Sequence, residues 1–171
     1  MHSAASCGHV QVVSLLLAAG ADANAANSGG QRAVHYAASK GRLEVLRKLA
    51  AAGADLDARD RTKSSSLHRA ASQGRADVIA LLLDGGEGLY ESGDGGGGRK
   101  GRMDVDALNG VGQTPLLVAC EAGQNEAAIA LAKRGANTRA EDKEGNSVAT
   151  LAPKLVAVLQ SIREGDVGMQ L

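Results

Sequence analysis

Val34-His-Tyr-Ala-Ala-Ser-Lys-Gly-Arg-Leu-Glu-Val45 returns 33 residues later as Leu67-His-Arg-Ala-Ala-Ser-Gln-Gly-Arg-Ala-Asp-Val78, and stands 33 residues earlier as Met1-His-Ser-Ala-Ala-Ser-Cys-Gly-His-Val-Gln-Val12. A repeat at a fixed period of this length is the mark of a stacked array, in which each copy buries its apolar face against the next. A fourth copy, Thr114-Pro-Leu-Leu-Val-Ala-Cys-Glu-Ala-Gly123, follows the third after 49 residues, so the third copy carries 16 extra residues. The repeat register places these at Gly88 to Met103, including the run Gly95 to Gly98. Lengthening a loop from about 4 to about 20 residues costs only roughly 1.4 kcal/mol, so the array tolerates the insertion. The glycine run lacks the GK[ST] spacing and following helix of a phosphate-binding loop, and it reads as a surface loop.

Within one period, the Ala-Ala pairs Ala4-Ala5, Ala37-Ala38 and Ala70-Ala71 predict a first helix slim enough for close packing. After a glycine turn comes a second apolar-periodic helix, with Val10, Val12 and Val13, then Val45, Leu46 and Leu49, then Val78, Ile79 and Leu81 to Leu83. These second helices are expected to end at Gly20, Gly53, Gly86 and Gly135 in left-handed caps. Asn27, Asp60, Asn109 and Asp142 then share one turn position, with Gly30, Gly112 and Gly145 three residues on. Lys63 occupies that glycine place in one copy, where a positive φ would cost about 1 kcal/mol.

Composition narrows the function. The 171 residues contain 23 glycines, two tyrosines and no phenylalanine or tryptophan, which removes the aromatic platforms used to stack bases. Nineteen basic residues balance nineteen acidic ones, so neither nucleic acid nor a membrane surface is indicated as a partner. Cys7 and Cys120 lie far apart without a Cys/His cluster and read as free thiols, with no metal site and no cofactor. His2, His35 and His68 recur once per repeat, roughly 10 Å apart along a stack, too far to share a metal. Hydrogen bonding between adjacent repeats is their expected role. Ser64-Ser65-Ser66 has no accompanying base or oxyanion signature, and Ser65 takes a Thr-Pro-type turn position. No catalysis is expected.

The 33-residue period, Thr114-Pro-Leu116 and the histidines at 35 and 68 resemble ankyrin repeats over residues 2 to about 164. That resemblance implies an all-α solenoid of about four and a half repeats, each a helix-turn-helix with a β-hairpin finger, that works by binding proteins. The array is divided into a truncated first repeat 1–29, a second 30–62, a third 63–111 with the insertion 88–103, a fourth 112–144, a degenerate capping repeat 145–164 and a tail 165–171. Met1 stands at the leucine place of a repeat, so the first helix pair is expected to expose an apolar flank.

The words at 34–45, 67–79 and 114–121, with Glu141-Asp-Lys-Glu-Gly145 and Leu155-Val-Ala-Val-Leu159, are similar to the gankyrin-like branch of the family, proteasomal assembly chaperones. The partner implied is the carboxy-terminal domain of an AAA+ ATPase subunit of the proteasome regulatory particle, met by a monomer in cytoplasm and nucleus. A general ankyrin adaptor or kinase-inhibitor-like protein is the alternative. Candidate contact residues are those that differ between copies at outward places: Tyr36, Lys40, Arg69, Gln73 and Glu121 on first helices, and Arg59, Asp60, Arg61, Asn109, Arg139, Glu141 and Asp142 on fingers. Residues 30–62 carry a net charge of +3 (seven basic, four acidic) and residues 104–144 a net of −3 (four basic, seven acidic), so the partner is expected to be oppositely polarised.

Overall fold

The computed structural model describes residues 1–85 and 103–165, with side chains to residue 162. Nearly all of the insertion, Gly86 and the tail beyond Gly165 lie outside the described residues. The helices are α1 (His2–Cys7), α2 (Val10–Ala18), α3 (Ala33–Ser39), α4 (Leu43–Ala51), α5 (Ser66–Ser72), α6 (Ala76–Asp84), α7 (Pro115–Glu121), α8 (Asn125–Ala132), α9 (Val148–Leu151) and α10 (Val156–Gly165). A 3-10 turn, Pro153–Leu155, joins the last two. None is long and apolar enough to cross a membrane.

The odd-numbered helices pack side by side as one layer, α1 on α3, α3 on α5, α5 on α7 and α7 on α9, and the even-numbered ones form a second layer behind them. Alanine makes this possible. Ala37, Ala38, Ala70, Ala71 and Ala119 are wholly or almost wholly buried between layers whose larger members are Leu46, Leu49, Leu67, Leu82, Leu116 and Leu131. The stack is less well covered at its start. Val12 is 45% exposed, whereas its counterparts Val45, Val78 and Ala127 are 1% exposed or less, because each of those has a preceding helix pair against it. Leu15 is exposed beside it, giving the apolar flank expected from the sequence.

Four fingers project between successive pairs, and their tips are built alike. In each, one side-chain oxygen accepts two backbone N–H groups: Asn27 Oδ1 from Gly29 and Gln31, Asp60 Oδ1 from Thr62 and Ser64, Asn109 Oδ1 from Val111 and Gln113, and Asp142 Oδ1 from Glu144 and Asn146. Distances run from 2.8 to 3.1 Å. Backbone bonds close the same tips, from Asn27 N to Gln31 O, Asp60 N to Ser64 O, Asn109 N to Gln113 O and Asp142 N to Asn146 O, so each finger is a tight hairpin turn too short for a regular strand; among the described residues the one β-bridge joins Glu141 to Ser147. Adjacent fingers are joined by a backbone rung: Arg61 N donates to Gly29 O at 3.0 Å, Gly110 N to Thr62 O at 2.8 Å, and Lys143 N to Val111 O at 3.3 Å. A Cβ at Gly110 would meet Thr62 O at 2.9 Å, a close approach particular to this rung, since Arg61 and Lys143 make theirs while carrying side chains.

The turn glycines have positive φ, and Lys63 adopts it too, with φ 59°, the one non-glycine residue to do so among the described residues. Gly20, Gly53 and Gly135 cap their helices with φ of 79° to 88°. The third second helix, α6, is capped by Gly85 in the left-handed region (φ 64°), and Gly86, the place expected from the register, lies outside the described residues. Met103, assigned by the register to the end of the insertion, is buried in the core at the place held by Ala54 and Ala136.

The histidines bind neighbouring repeats. His35 Nδ1 accepts Arg32 N at 3.0 Å while Nε2 reaches Ser64 O at 3.2 Å, and His68 Nδ1 accepts Ser65 N at 3.2 Å while Nε2 reaches Gln113 O at 3.1 Å. With a backbone N–H aimed at Nδ1, the proton sits on Nε2 and the ring is neutral. Burial lowers the pKa of His35 and pushes that of His68 down to about 4. His2 makes the same link to Gln31 O at 3.0 Å from a partly exposed position.

Candidate protein-binding face

The candidate residues lie on the first helices and the fingers, where Tyr36, Arg69 and Glu121 each reach a finger, but they are not equally available to a partner. Lys40, Arg59, Arg61, Gln73, Glu121, Arg139 and Glu141 are exposed. Asp60 is not: it is 5% exposed, and its carboxylate accepts from the Thr62 and Ser64 amides, the Thr62 hydroxyl and the Arg69 guanidinium. Burial alone would raise its pKa. Those hydrogen bonds outweigh burial and hold it below the ordinary carboxylate value. Asp60 is a scaffold residue rather than a contact. Asn109 and Asp142 are likewise occupied by their own turns, the bonds from Asn146 keeping the Asp142 pKa low.

Arg69 is also partly committed. Its guanidinium pairs with Asp60, leaving about a third of the side chain exposed, and its buried Nε has no hydrogen-bond partner. A partner can reach its outer edge, but reversing its charge would disturb the scaffold. Tyr36 occupies the equivalent place one repeat earlier. Its hydroxyl donates to Gln31 Oε1 and accepts from Asn27 Nδ2, both at 2.9 Å, and its ring stands edge-on to His2 with centroids 5.7 Å apart. Glu121 accepts from Gln113 Nε2 at 2.8 Å, and Arg59 donates to Leu108 O at 3.0 Å, tying the second finger to the third.

Sequence reading passed over the third finger's apolar tip. Leu108 and Val111 are each 55% exposed. The matching places hold Ala26 and Gly29 in the first finger, Arg59 and Thr62 in the second, and Glu141 and Glu144 in the fourth. The signal lies in that comparison, since no other finger carries a large apolar residue at either place.

Chemically reactive groupings are sparse. Ser64, Ser65 and Ser66 are buried, with Ser65 hydrogen-bonded to His68 at a helix start. Cys7 and Cys120 are free thiols, and burial pushes the Cys120 pKa up to about 11, which keeps it unreactive. Among the described residues no three His, Cys, Asp or Glu side chains are grouped to hold a metal. A groove of about 620 Å³ between the end of α8 and α10 is lined by Lys133, Asn137, Arg139, Leu159, Ser161 and Ile162 among others.

None of the curated proteins compared matches the chain. The family model described as ankyrin repeats (3 copies) matches it twice, over residues 1–94 and 67–155. Its repeated helix pairs and finger turns are shared along the same span, and the chain belongs to the ankyrin-repeat family.

Proposed function

We propose that this ankyrin solenoid is a gankyrin-like assembly chaperone that binds the carboxy-terminal domain of an ATPase subunit of the proteasome regulatory particle. Ankyrin repeats are generally non-enzymatic scaffolds, and they imply a protein partner. The observation that carries a binding role here is the contrast between fixed and variable positions: the turn residues Asn27, Asp60, Asn109 and Asp142 repeat one structure, while the exposed residues beside them change from copy to copy. Such surfaces confer specificity on an otherwise uniform rod. The partner's identity is supported by the sequence words at 34–45, 67–79 and 114–121. The chain acts as a monomer, in cytoplasm and nucleus, without catalysis of its own.

The test is direct. The full chain is immobilised and offered the purified carboxy-terminal domain of each base ATPase in turn. Saturable retention of one of them supports the reading. Retention of none, with specific capture of a protein kinase or a ubiquitin-ligase subunit instead, replaces it with the kinase-inhibitor-like or adaptor reading.

A further inference from the structure

The third finger differs from its neighbours in a way the binding role alone does not require. Leu108 and Val111 flank the turn at its tip and are each more than half exposed. Nothing in the fold asks for apolar residues there, since the same two places accept Ala26 and Gly29, Arg59 and Thr62, or Glu141 and Glu144 in the other fingers. The backbone rungs fix what lies on either side. Gly110 is bonded to the second finger through Thr62 O, and Lys143 of the fourth finger is bonded to Val111 O. The second finger presents Arg61 and Lys63, both exposed, and Arg59, whose guanidinium lies against Leu108 O. The fourth finger presents Glu141 and Glu144, both exposed, while Lys143 Nζ is turned back onto Gly110 O at 2.8 Å. An apolar centre thus sits between a basic tip at 59–63 and an acidic tip at 141–144, the order of a protein-binding patch with an apolar anchor and a polar rim.

We propose that the third finger tip is the anchor of the binding face, and that its partner is a protein segment of fixed polarity. Apolar side chains seat on Leu108 and Val111, acidic groups lie toward Arg61 and Lys63, and basic groups lie toward Glu141 and Glu144. This rests on the protein-binding reading and deepens it by giving the chemistry and direction of the bound segment. The charges set orientation, because a reversed segment would bring like charges together on both sides.

The test needs no knowledge of the natural partner. A displayed library of random short peptides is panned against the full chain, and the selected peptides are titrated against wild type and the double variant Leu108→Ser/Val111→Ser. Both side chains are on the surface, so the variant keeps its helical circular dichroism. Selected peptides are expected to carry acidic, apolar and basic groups in one consistent order, to lose affinity about tenfold or more in the double variant, and to bind worse when their sequence is reversed. No enrichment, peptides of mixed or opposite order, or equal affinity for the two chains would overturn the proposal. The outcomes separate the two readings. Ordered peptides with no ATPase domain retained keep the tip and refute the proteasomal partner, whereas an ATPase domain that binds wild type and double variant equally does the reverse.

Discussion

The first and second helix pairs are written in nearly the same words, yet they live in different environments. Val12 is 45% exposed and Val45 1%. His2 is partly exposed and His35 is buried, although each reaches a carbonyl of the following finger. The difference lies in the neighbours. In a stack, the burial of a position depends on having a pair on each side, so identical residues contribute unequally to stability according to their place in the row. The seams beyond them differ in chemistry as well: Asn27 meets Tyr36 as a neutral pair in the first, and Asp60 meets Arg69 as a charged pair in the second.

The largest effect tests burial itself. Leu49→Ala removes a wholly buried side chain and is expected to cost about 3 kcal/mol, whereas Leu16→Ala, at the matching but less covered place, costs about half as much. Equal losses in urea denaturation would break the comparison.

Acid acts on the later seams with nearly the same size. His68 has an ordinary pKa of 6.5 when unfolded and about 4 when folded, so the unfolded chain binds more protons between those values. Its contribution is complete above 6.5 and is lost as pH falls toward 4, amounting to about 3 kcal/mol at the acid end. Stability measured across this range should fall steeply in wild type and less steeply in His68→Leu, which copies Leu117 of the fourth repeat.

An exchange of seam chemistry comes next. Arg69→Tyr alone leaves the buried Asp60 carboxylate without its cation and is expected to cost about 2 kcal/mol. Adding Asp60→Asn, which reproduces the Asn27 and Tyr36 pair, should recover most of that loss. A double variant no more stable than the single one would show that the two seams are not interchangeable. The smallest effect concerns the turn: Lys63→Gly relieves the left-handed strain and gains about 1 kcal/mol, while Gly30→Ala at the matching place is destabilising.

Much of this was legible in the sequence. The 33-residue period placed the helices, turns and histidine links, because each recurs in register and a recurring residue solves a recurring structural problem. The same logic puts Asn27, Asp60, Asn109 and Asp142 at one turn position, which is itself a reason to count the last three as turn residues rather than contacts. Arg69 varies between copies, which points outward, but whether a long side chain reaches solvent or folds back onto a buried carboxylate depends on the seam. Leu108 and Val111 were hidden for the opposite reason. Apolar residues suggest core until the projection of the finger shows that nothing covers them.

The comparison also leaves two rival surfaces for a partner, the apolar flank of α2 and the row of finger tips. Hydrogen exchange of the full chain, free and with the ATPase carboxy-terminal domain, distinguishes them most directly. Slowed exchange at residues 59–63, 108–113 and 141–146, with α2 unchanged, is the predicted result. Protection confined to residues 10–18, or none anywhere, would contradict it.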